Sequence, residues 1–311
     1  MRAVTIKEGE LLVAEHRDPQ PGTGEVLVHV RAAGLNGGDQ MQVRGLYPPP
    51  PGWPKDIPGM EVAGEVAALG ERAERFSVGD RVMAIVGGGG QAELAAVHER
   101  TLMPVPDELA WPQAGGFPEV FTTAHDAIFG QAGLRPGETA LVQGASGGVA
   151  TAAIILGRLG GLTVFATSRD AARRQLALDL GAEAAFAPER ATARALIEAT
   201  GGRGVDAVIE TVGEPTWDLS LRAVRPGGMV VVAGATGGDN PPAQLRRVFF
   251  RRLTIAGSTM GTRGELRRLV DLCATGALRP LIGATHSLAD AAVAFAEMDR
   301  GELHGKIVIA V

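Results

Sequence analysis

Short apolar runs alternate with helical segments from residue 139 to residue 257, and this alternation constrains the fold more than any other feature of the chain. Continuous apolar runs of this length are typical of parallel strands that are covered on both faces. The alternation predicts an α/β fold with a doubly wound, parallel, six-stranded sheet. The expected strands are residues 139–143, 162–167, 205–210, 229–234 and 253–257, with one further strand near Phe186.

The segments on either side of this region have a different character. The first third contains many turn residues and short alternating runs such as residues 25–30, and prolines 48–51 cannot join a central sheet. Residues 306–311 form an apolar run that we expect to rejoin the N-terminal β segment. Because 311 residues exceed what one hydrophobic core usually serves, two domains are predicted. Their expected bounds are residues 1–119 with 264–311, and residues 120–263.

Composition and charge exclude several classes of function. A net charge of -5 and an aromatic content of 4% argue against a nucleic-acid partner. The single cysteine, Cys273, cannot form a disulfide framework or a multi-cysteine zinc site within one chain. The longest apolar runs are far below the roughly 18 residues that span a bilayer, and no signal-peptide pattern follows Met1. We therefore expect a cytoplasmic protein with no membrane partner.

A glycine-rich turn joins the first predicted strand of the alternating region to the helix that follows it. Gly147 and Gly148 would let the backbone approach a pyrophosphate, and the helix start would offer free N–H groups to it. The turn departs from the G-x-G-x-x-G fingerprint because Ala145 and Ala150 occupy two glycine places. With the surrounding strands and helices, it predicts a dinucleotide site. The candidate residues of this turn are Gly144, Ser146, Gly147, Gly148 and Val149.

The end of the second strand of this region distinguishes between the two nicotinamide cofactors. NAD enzymes place an Asp or Glu there to bind the ribose hydroxyls, whereas this chain has Ser168 and Arg169, with Arg173 one turn on. A hydroxyl and cationic side chains suit a 2′-phosphate, which indicates NADPH. The alternative interpretation is a solvated helix face, because arginine is frequent in this chain.

Several short motifs occur in a characteristic order from one end of the chain to the other. They include Ala33-Gly34-Leu35-Asn36, Pro58-Gly59-Met60-Glu61 and residues 78–82, 121–124, 180–182, 204–206, 211–213, 226–228 and 305–308. In these motifs the chain resembles the zinc-independent, zeta-crystallin-like quinone oxidoreductases of the medium-chain dehydrogenase/reductase superfamily. The resemblance implies a GroES-like β domain and a Rossmann domain that binds NADPH.

The resemblance also indicates which chemistry to expect. Zinc alcohol dehydrogenases of this superfamily carry a cysteine and a histidine where this chain has Asn36 and Met60. Glu61 without thiolate or imidazole neighbours is a poor zinc site. We therefore expect no metal site and an acceptor that takes hydride without a Lewis acid. Quinones and activated enones both meet that condition.

Roles for individual residues follow from the same resemblance. Asn36 and Asp39 would lie near the nicotinamide, and Tyr47, the only tyrosine, would donate a hydrogen bond to the acceptor oxygen. Loop packing is the alternative for Tyr47, and helix capping is the alternative for Thr123, which would contact the nicotinamide. Further cofactor contacts are expected at Val212, Gly234, Ala235 and Thr236. The resemblance also implies a homodimer formed by edge pairing of the strand at 253–257.

Three functions remain open at this stage. The first is an NADPH-dependent oxidoreductase that transfers hydride to a quinone. The second is an NADPH-dependent enoyl or alkenal reductase that acts on α,β-unsaturated carbonyls. The third is an NADPH-binding protein without significant turnover, because a fold does not guarantee a reaction. One departure from the family bears on all three, since Phe186-Ala187-Pro188 lacks the tyrosine that often meets the 2′-phosphate.

Overall fold

The computed structural model describes residues 1–302 and 304–311, and these residues divide into two units. The first unit contains residues 1–119 and 262–311, and the second contains residues 120–261. The chain thus leaves the first unit and later returns to it, which makes the second unit an insertion.

Alternation of buried and exposed side chains builds the main sheet of the first unit. In its longest strand Val26, Val28 and Val30 are fully buried, whereas His29 between them is exposed. The period of two places the valines on the core face of the sheet. The elements of this segment are β1 (Arg2–Lys7), β2 (Glu10–Glu15), β3 (Glu25–Gly34), α1 (Gly37–Val43), β4 (Glu61–Leu69), β5 (Arg81–Ile85), β6 (Leu94–His98), β7 (Met103–Pro104) and α2 (Trp111–Gly115).

Strands and helices alternate through the second unit, as the apolar runs predict. All neighbouring strands of its sheet are parallel, in the order β10-β9-β8-β11-β12-β13, so the predicted doubly wound sheet of six parallel strands is confirmed. The elements are α3 (Pro118–His125), a π-helical turn (Asp126–Gln131), β8 (Thr139–Val142), α4 (Gly148–Leu159), β9 (Thr163–Thr167), α5 (Ala171–Asp179), β10 (Ala184–Phe186), α6 (Thr192–Ala199), β11 (Val205–Glu210), α7 (Glu214–Ala223), β12 (Val224–Val232), α8 (Leu245–Arg251) and β13 (Thr254–Gly257).

The strand order reverses between β8 and β11. The chain runs from β8 outward to β9 and β10, then crosses back to β11 and continues to β12 and β13 on the other side. Open α/β sheets bind their ligands at the carboxyl ends of the strands next to such a switch point. The turns after β8, β9 and β11 therefore lie where a ligand is expected. We call this side of the sheet the carboxyl edge.

The last segment of the chain completes the first unit. Strand β15 pairs antiparallel with β3, and Val308 lies opposite Gly34, so the prediction that the last strand rejoins the N-terminal β segment is confirmed. The resulting sheet has the order β14-β15-β3-β4-β5-β7, and β6 pairs with β3. The elements of this segment are α9 (Arg263–Ala274), β14 (Ile282–Ser287), a 3-10 turn (Leu288–Asp290), α10 (Ala291–Arg300) and β15 (Lys306–Ala310).

Two further observations concern the predicted elements. Strand β12 begins at Val224, five residues before the expected start, and it includes Gly227 and Gly228, which had suggested a turn. Local composition does not reveal this early start, because it depends on the pairing of Val224 with Val205 of β11. Across the described ranges, no helix has both the length and the apolar character needed to cross a membrane.

Candidate functional site

The glycine-rich turn after β8 opens directly into helix α4. Gly147 is the N-cap residue, with φ -73° and ψ 160°, and the helix begins at Gly148. A Cβ atom placed on Gly147 would have the carbonyl oxygen of Gly144 as its nearest neighbour, at 4.0 Å, so the space in front of the helix is open. The N–H groups of a first helical turn have no carbonyl partners within the helix. The residues present therefore fit the pyrophosphate of a dinucleotide.

Gly144 is required for a different reason. Its φ is +73°, and a Cβ atom there would lie 2.8 Å from Val212 Cγ2 and 3.0 Å from Thr211 Oγ1. A side chain would therefore be strained by the backbone and would also collide with the turn after β11. Ser146 is 7% exposed and donates its N–H to the Gly144 carbonyl at 2.7 Å, and Val149 is half-buried in the first turn of α4.

Polar and cationic residues follow the end of β9. Ser168 is 9% exposed and its Oγ accepts the N–H of Asp170 at 3.3 Å, while Arg169 is exposed and Arg173 is half-buried. Arg174 Nη1 donates to the carbonyls of Ser168 at 2.9 Å and Arg169 at 3.0 Å. Sequence reasoning did not select Arg174, because helical spacing alone does not show which arginine of α5 faces the strand end.

Two later turns of the carboxyl edge lie against each other. The N–H of Gly237 donates to the carbonyl of Val212 at 2.7 Å, and the Thr236 hydroxyl donates to the carbonyl of Thr211 at 3.3 Å. These bonds bring the turn after β12 onto the turn after β11. Of the residues predicted for these turns, Val212, Gly234 and Ala235 are half-buried and Thr236 is exposed.

Thr123 lies near the end of helix α3. Its side chain is 2% exposed, and its hydroxyl accepts the N–H of Met260 at 3.1 Å. The nearby Ser258 hydroxyl donates to the Asp126 carboxylate at 2.6 Å. These bonds connect the end of α3 with the segment that follows β13, at the carboxyl edge of the second unit.

A buried charged centre lies in the first unit, around the start of α1. Lys306 and Glu61 form an ion pair at 2.7 Å, and their side chains are 3% and 0% exposed. Asn36 Oδ1 accepts a hydrogen bond from Lys306 Nζ, and Asn36 Nδ2 donates to Glu61 Oε1 at 3.0 Å. The second Glu61 oxygen accepts the N–H of Glu119 at 2.9 Å. We call Lys306, Glu61 and Asn36 the lysine centre.

Asp39 lies beside the lysine centre and is completely buried. Its two oxygens accept the N–H of Asn36 at 2.8 Å and the N–H of Gly59 at 3.2 Å, so it connects the start of α1 with the segment before β4. Burial raises the pKa of Asp39 to about 7, although the Asn36 N–H and the Lys306 charge act in the opposite direction. Asn36 and Asp39 thus direct their polar atoms at groups of the protein itself.

The raised pKa of Asp39 predicts a specific pH dependence of stability. Because the pKa is higher in the folded chain than the ordinary 3.8, Asp39 favours folding at low pH and loses that contribution as the pH rises through about 7. An Asp39→Asn variant cannot titrate there. Its free energy of unfolding should therefore fall less than that of the wild type between about pH 5 and pH 7.5. Urea unfolding at several pH values measures both slopes, and equal slopes would contradict the raised pKa.

Tyr47 lies on the proline-rich loop after α1 and is half-buried. A Cβ atom on Gly38 would collide with Met60 Sδ and would lie 3.9 Å from Tyr47 Cδ1, so both side chains lie over the first turn of α1. Among the described residues, none forms a hydrogen bond with the Tyr47 hydroxyl. The phenol is therefore available to a ligand.

Comparison with known proteins agrees with this architecture. Residues 22–107 match the alcohol dehydrogenase GroES-like domain, and residues 148–275 match the family described as zinc-binding dehydrogenase. The quinone oxidoreductase of Pseudomonas aeruginosa is 34% identical over 312 residues, which cover 96% of this chain and 95% of that protein. The chain belongs to the medium-chain dehydrogenase/reductase superfamily. This superfamily member is also 36% identical, over 92% of its length, to erythronolide synthase EryA2 of Saccharopolyspora erythraea, of which the match spans only 8%.

Solved structures place the whole chain in the same superfamily. A mycobacterial protein complexed with NADPH has a TM-score of 0.91 and 28% identity, with complete coverage of both chains. An NAD-dependent alcohol dehydrogenase has a TM-score of 0.93 and 29% identity, also with complete coverage. These similarities show the fold of nicotinamide-dependent oxidoreductases. One of the two similar proteins binds NADPH and the other depends on NAD.

The name of one matching family raises the question of zinc in this medium-chain dehydrogenase/reductase. The resemblance to the zinc-independent branch implies that Asn36 and Met60 replace the cysteine and histidine of the zinc enzymes. Both oxygens of Glu61 are already engaged, one by Lys306 and Asn36 and the other by a backbone N–H. No group of three or more His, Cys, Asp or Glu side chains within residues 1–302 and 304–311 could hold a metal ion. The donor set does not fit zinc.

Proposed function

We propose that the chain is a zinc-independent oxidoreductase that uses NADPH to transfer hydride to a quinone. The observation that carries this proposal is the buried Lys306–Glu61 ion pair. It places an ammonium group on the carboxylate that would otherwise be available to a metal. An alcohol or simple carbonyl reaction benefits from a Lewis acid, whereas a quinone disperses the developing charge by delocalisation. Quinone oxidoreductases among the relatives support the same acceptor class.

Bound NADPH supplies the hydride, and the carboxyl edge of the second unit provides the binding groups. The open start of α4 at Gly147 receives the pyrophosphate. Ser168 and Arg169 receive the 2′-phosphate, and no carboxylate occupies those two positions to repel it. The next residue, Asp170, is acidic, and its carboxylate accepts the N–H of Arg173 at 2.9 Å as the cap of its own helix. These features favour NADPH over NADH.

In this proposal, residues of the first unit bind and orient the hydride acceptor. Tyr47 donates a hydrogen bond to the acceptor oxygen, since its hydroxyl is available. Asp39 acts as a positioning residue, because its carboxylate accepts the N–H groups of Asn36 and Gly59. Asn36 acts as a positioning residue through its side-chain amide, which bonds to Glu61 and Lys306. Catalysis then depends mainly on orientation and exclusion of water, not on a strong acid or base.

The test of this function is the initial rate of NADPH oxidation with a small quinone under anaerobic conditions, with NADH in parallel and a metal chelator present. We expect fast oxidation of NADPH and a rate about tenfold to hundredfold lower with NADH at limiting cofactor, as one lost charge-assisted contact implies. Tight NADPH binding without turnover on any acceptor would instead support a binding role. Loss of activity with the chelator would contradict zinc independence.

An enoyl or alkenal reductase is the second candidate, and the available Tyr47 hydroxyl favours it. Hydride addition to the β-carbon of an enone requires a proton at the α-carbon, and Tyr47 could donate it. A Tyr47→Phe variant should then lose about 100-fold or more in kcat on enones, within the range of general-acid catalysis. The same variant should lose no more than about tenfold on quinones, because there Tyr47 contributes one hydrogen bond and no proton transfer. Parallel kinetics on both acceptors measure the difference.

We also propose a homodimer through the open edge of the six-stranded sheet. Strand β13 pairs only with β12 among the described strands, and Ile255 in it is 43% exposed. An uncovered edge of this kind invites pairing with another chain. Sedimentation velocity of the wild-type chain tests the proposal, and a monomer at working concentration would overturn it.

A further inference from the structure

We propose that Glu210 is a positioning residue for the cofactor, because a buried hydrogen-bond network that ends on its carboxylate holds three turns of the carboxyl edge together. The network consists of Glu210, Thr216, Ser220, Gln143 and Thr167. Their side chains are between 0% and 3% exposed. The inference rests on the proposed function, since it assumes that a nicotinamide dinucleotide binds at this edge.

The Glu210 carboxylate shapes the turn after β11 directly. Its Oε1 accepts the N–H groups of Val212 at 2.9 Å and Gly213 at 3.0 Å, together with the Thr216 hydroxyl at 2.8 Å. Two successive N–H groups bound to one oxygen fix the direction of the backbone at this turn. The turn is the one that lies against Gly144, so its position also determines the space beside the glycine-rich turn.

The other carboxylate oxygen connects Glu210 with the two neighbouring strand ends. Glu210 Oε2 accepts the Ser220 hydroxyl at 2.6 Å, and Ser220 Oγ accepts Gln143 Nε2 at 2.9 Å. Gln143 Oε1 in turn accepts the hydroxyl of Thr167. Gln143 immediately precedes Gly144, and Thr167 immediately precedes Ser168. The network therefore reaches the residues proposed for the pyrophosphate and for the 2′-phosphate.

Every donor in this chain of bonds points toward the carboxylate. Thr167 donates to Gln143, Gln143 donates to Ser220, and Ser220 donates to Glu210. An ionised carboxylate only accepts hydrogen bonds, so it sets the direction of each hydroxyl and the orientation of the Gln143 amide. A glutamine at position 210 would add a donor, and one hydrogen of the network would lose its acceptor.

Strand β11 also offers a matched control at its opposite end. Asp206 is 6% exposed and its carboxylate accepts the N–H and the hydroxyl of Thr139 at 2.8 Å and 2.7 Å, and the Arg225 guanidinium at 2.7 Å. Asp206 thus has a buried, fully bonded carboxylate on the same strand as Glu210. It lies at the amino end of the sheet, away from the proposed cofactor turns. An Asp206→Asn variant should lower stability without changing NADPH affinity.

The experiment compares the wild type with Glu210→Gln and Asp206→Asn in the full-length chain. NADPH binding is titrated calorimetrically without an acceptor, the melting temperature is recorded, and kcat and KM for NADPH are measured with a quinone. Glu210→Gln should raise the Kd for NADPH about tenfold, as an unmet buried donor implies, and raise KM with little change in kcat. Asp206→Asn should change the Kd by less than about twofold while lowering the melting temperature.

A second variant keeps the test decisive if Glu210→Gln does not fold. Ser220→Ala breaks the bridge to Gln143 but leaves the bonds of Glu210 to Val212 and Gly213 in place, so a smaller rise in Kd is expected. If the wild type binds NADPH and both network variants have the same Kd as the wild type, this inference is overturned but the proposed function is not. An equal rise in Kd for Asp206→Asn would also overturn it, because the effect would then follow from stability. A wild-type chain that binds no NADPH would overturn the proposed function and this inference together.

Discussion

A Gly147→Phe variant is expected to bind NADPH at least about 100-fold more weakly than the wild type, a loss of about 2.7 kcal/mol. The reason lies in the open space in front of α4. A Cβ atom at position 147 meets nothing closer than the Gly144 carbonyl oxygen at 4.0 Å, so the protein itself accommodates a side chain there. A phenyl ring would instead occupy the volume proposed for the pyrophosphate. Calorimetric or fluorescence titration with NADPH measures the effect.

Two companion measurements separate blocked binding from damaged folding. The melting temperature of Gly147→Phe should remain close to that of the wild type, since Gly147 has ordinary backbone angles. Gly147→Ala adds only a methyl group into the same space and should retain most of the affinity. If Gly147→Phe binds NADPH as the wild type does, the cofactor site is elsewhere.

A Lys306→Met variant is expected to lose about 3–5 kcal/mol of unfolding free energy, the usual cost of removing one partner from a buried ion pair. Lys306 and Glu61 are 3% and 0% exposed, so the remaining carboxylate would have neither a counter-ion nor water. The amide oxygen of Asn36 would also lose its donor. Urea unfolding of the wild type and the variant measures the difference.

The contrast with an exposed pair makes this prediction specific. Arg194 and Glu198 form an ion pair at 2.8 Å on α6, with side chains 87% and 64% exposed. Arg194→Met should therefore change the free energy of unfolding by less than about 0.5 kcal/mol. A Lys306→Met, Glu61→Leu double variant should recover part of the loss, because it removes the unpaired charge. Equal effects of Lys306→Met and Arg194→Met would contradict the description of a buried centre.

The sequence predicted the second unit well because its signals are local. The expected strand at residues 205–210 has the bounds of β11, and the helix expected after the glycine-rich turn is α4. Both elements are indicated by continuous apolar runs and by the glycine turns beside them, and these signals involve only residues that are close together in the sequence. The start of β12 was missed because Pro226, Gly227 and Gly228 interrupt the apolar pattern, and only the pairing of Val224 with Val205 of β11 shows that the strand begins earlier.

The residues of the candidate sites were predictable only in part. Gly147, Ser168 and Arg169 lie where their types and spacing indicated, at turns of the carboxyl edge. Glu210 ended an apolar run and was assigned only to a strand. Its role depends on Ser220 and Gln143, which come from other elements. Helix α5 likewise turns Arg174 toward the strand end, and no local pattern distinguishes it from its neighbours.

By itself, the sequence determined the α/β class, the position of the glycine-rich turn and the cationic end of β9, since each depends on residues close together in the chain. Only the tertiary structure decided which polar groups meet in the interior. Lys306 and Asn36 are separated by 270 residues, yet pairing of β15 with β3 brings them into contact with Glu61. Buried charges require partners, and those partners are determined by which strands become neighbours.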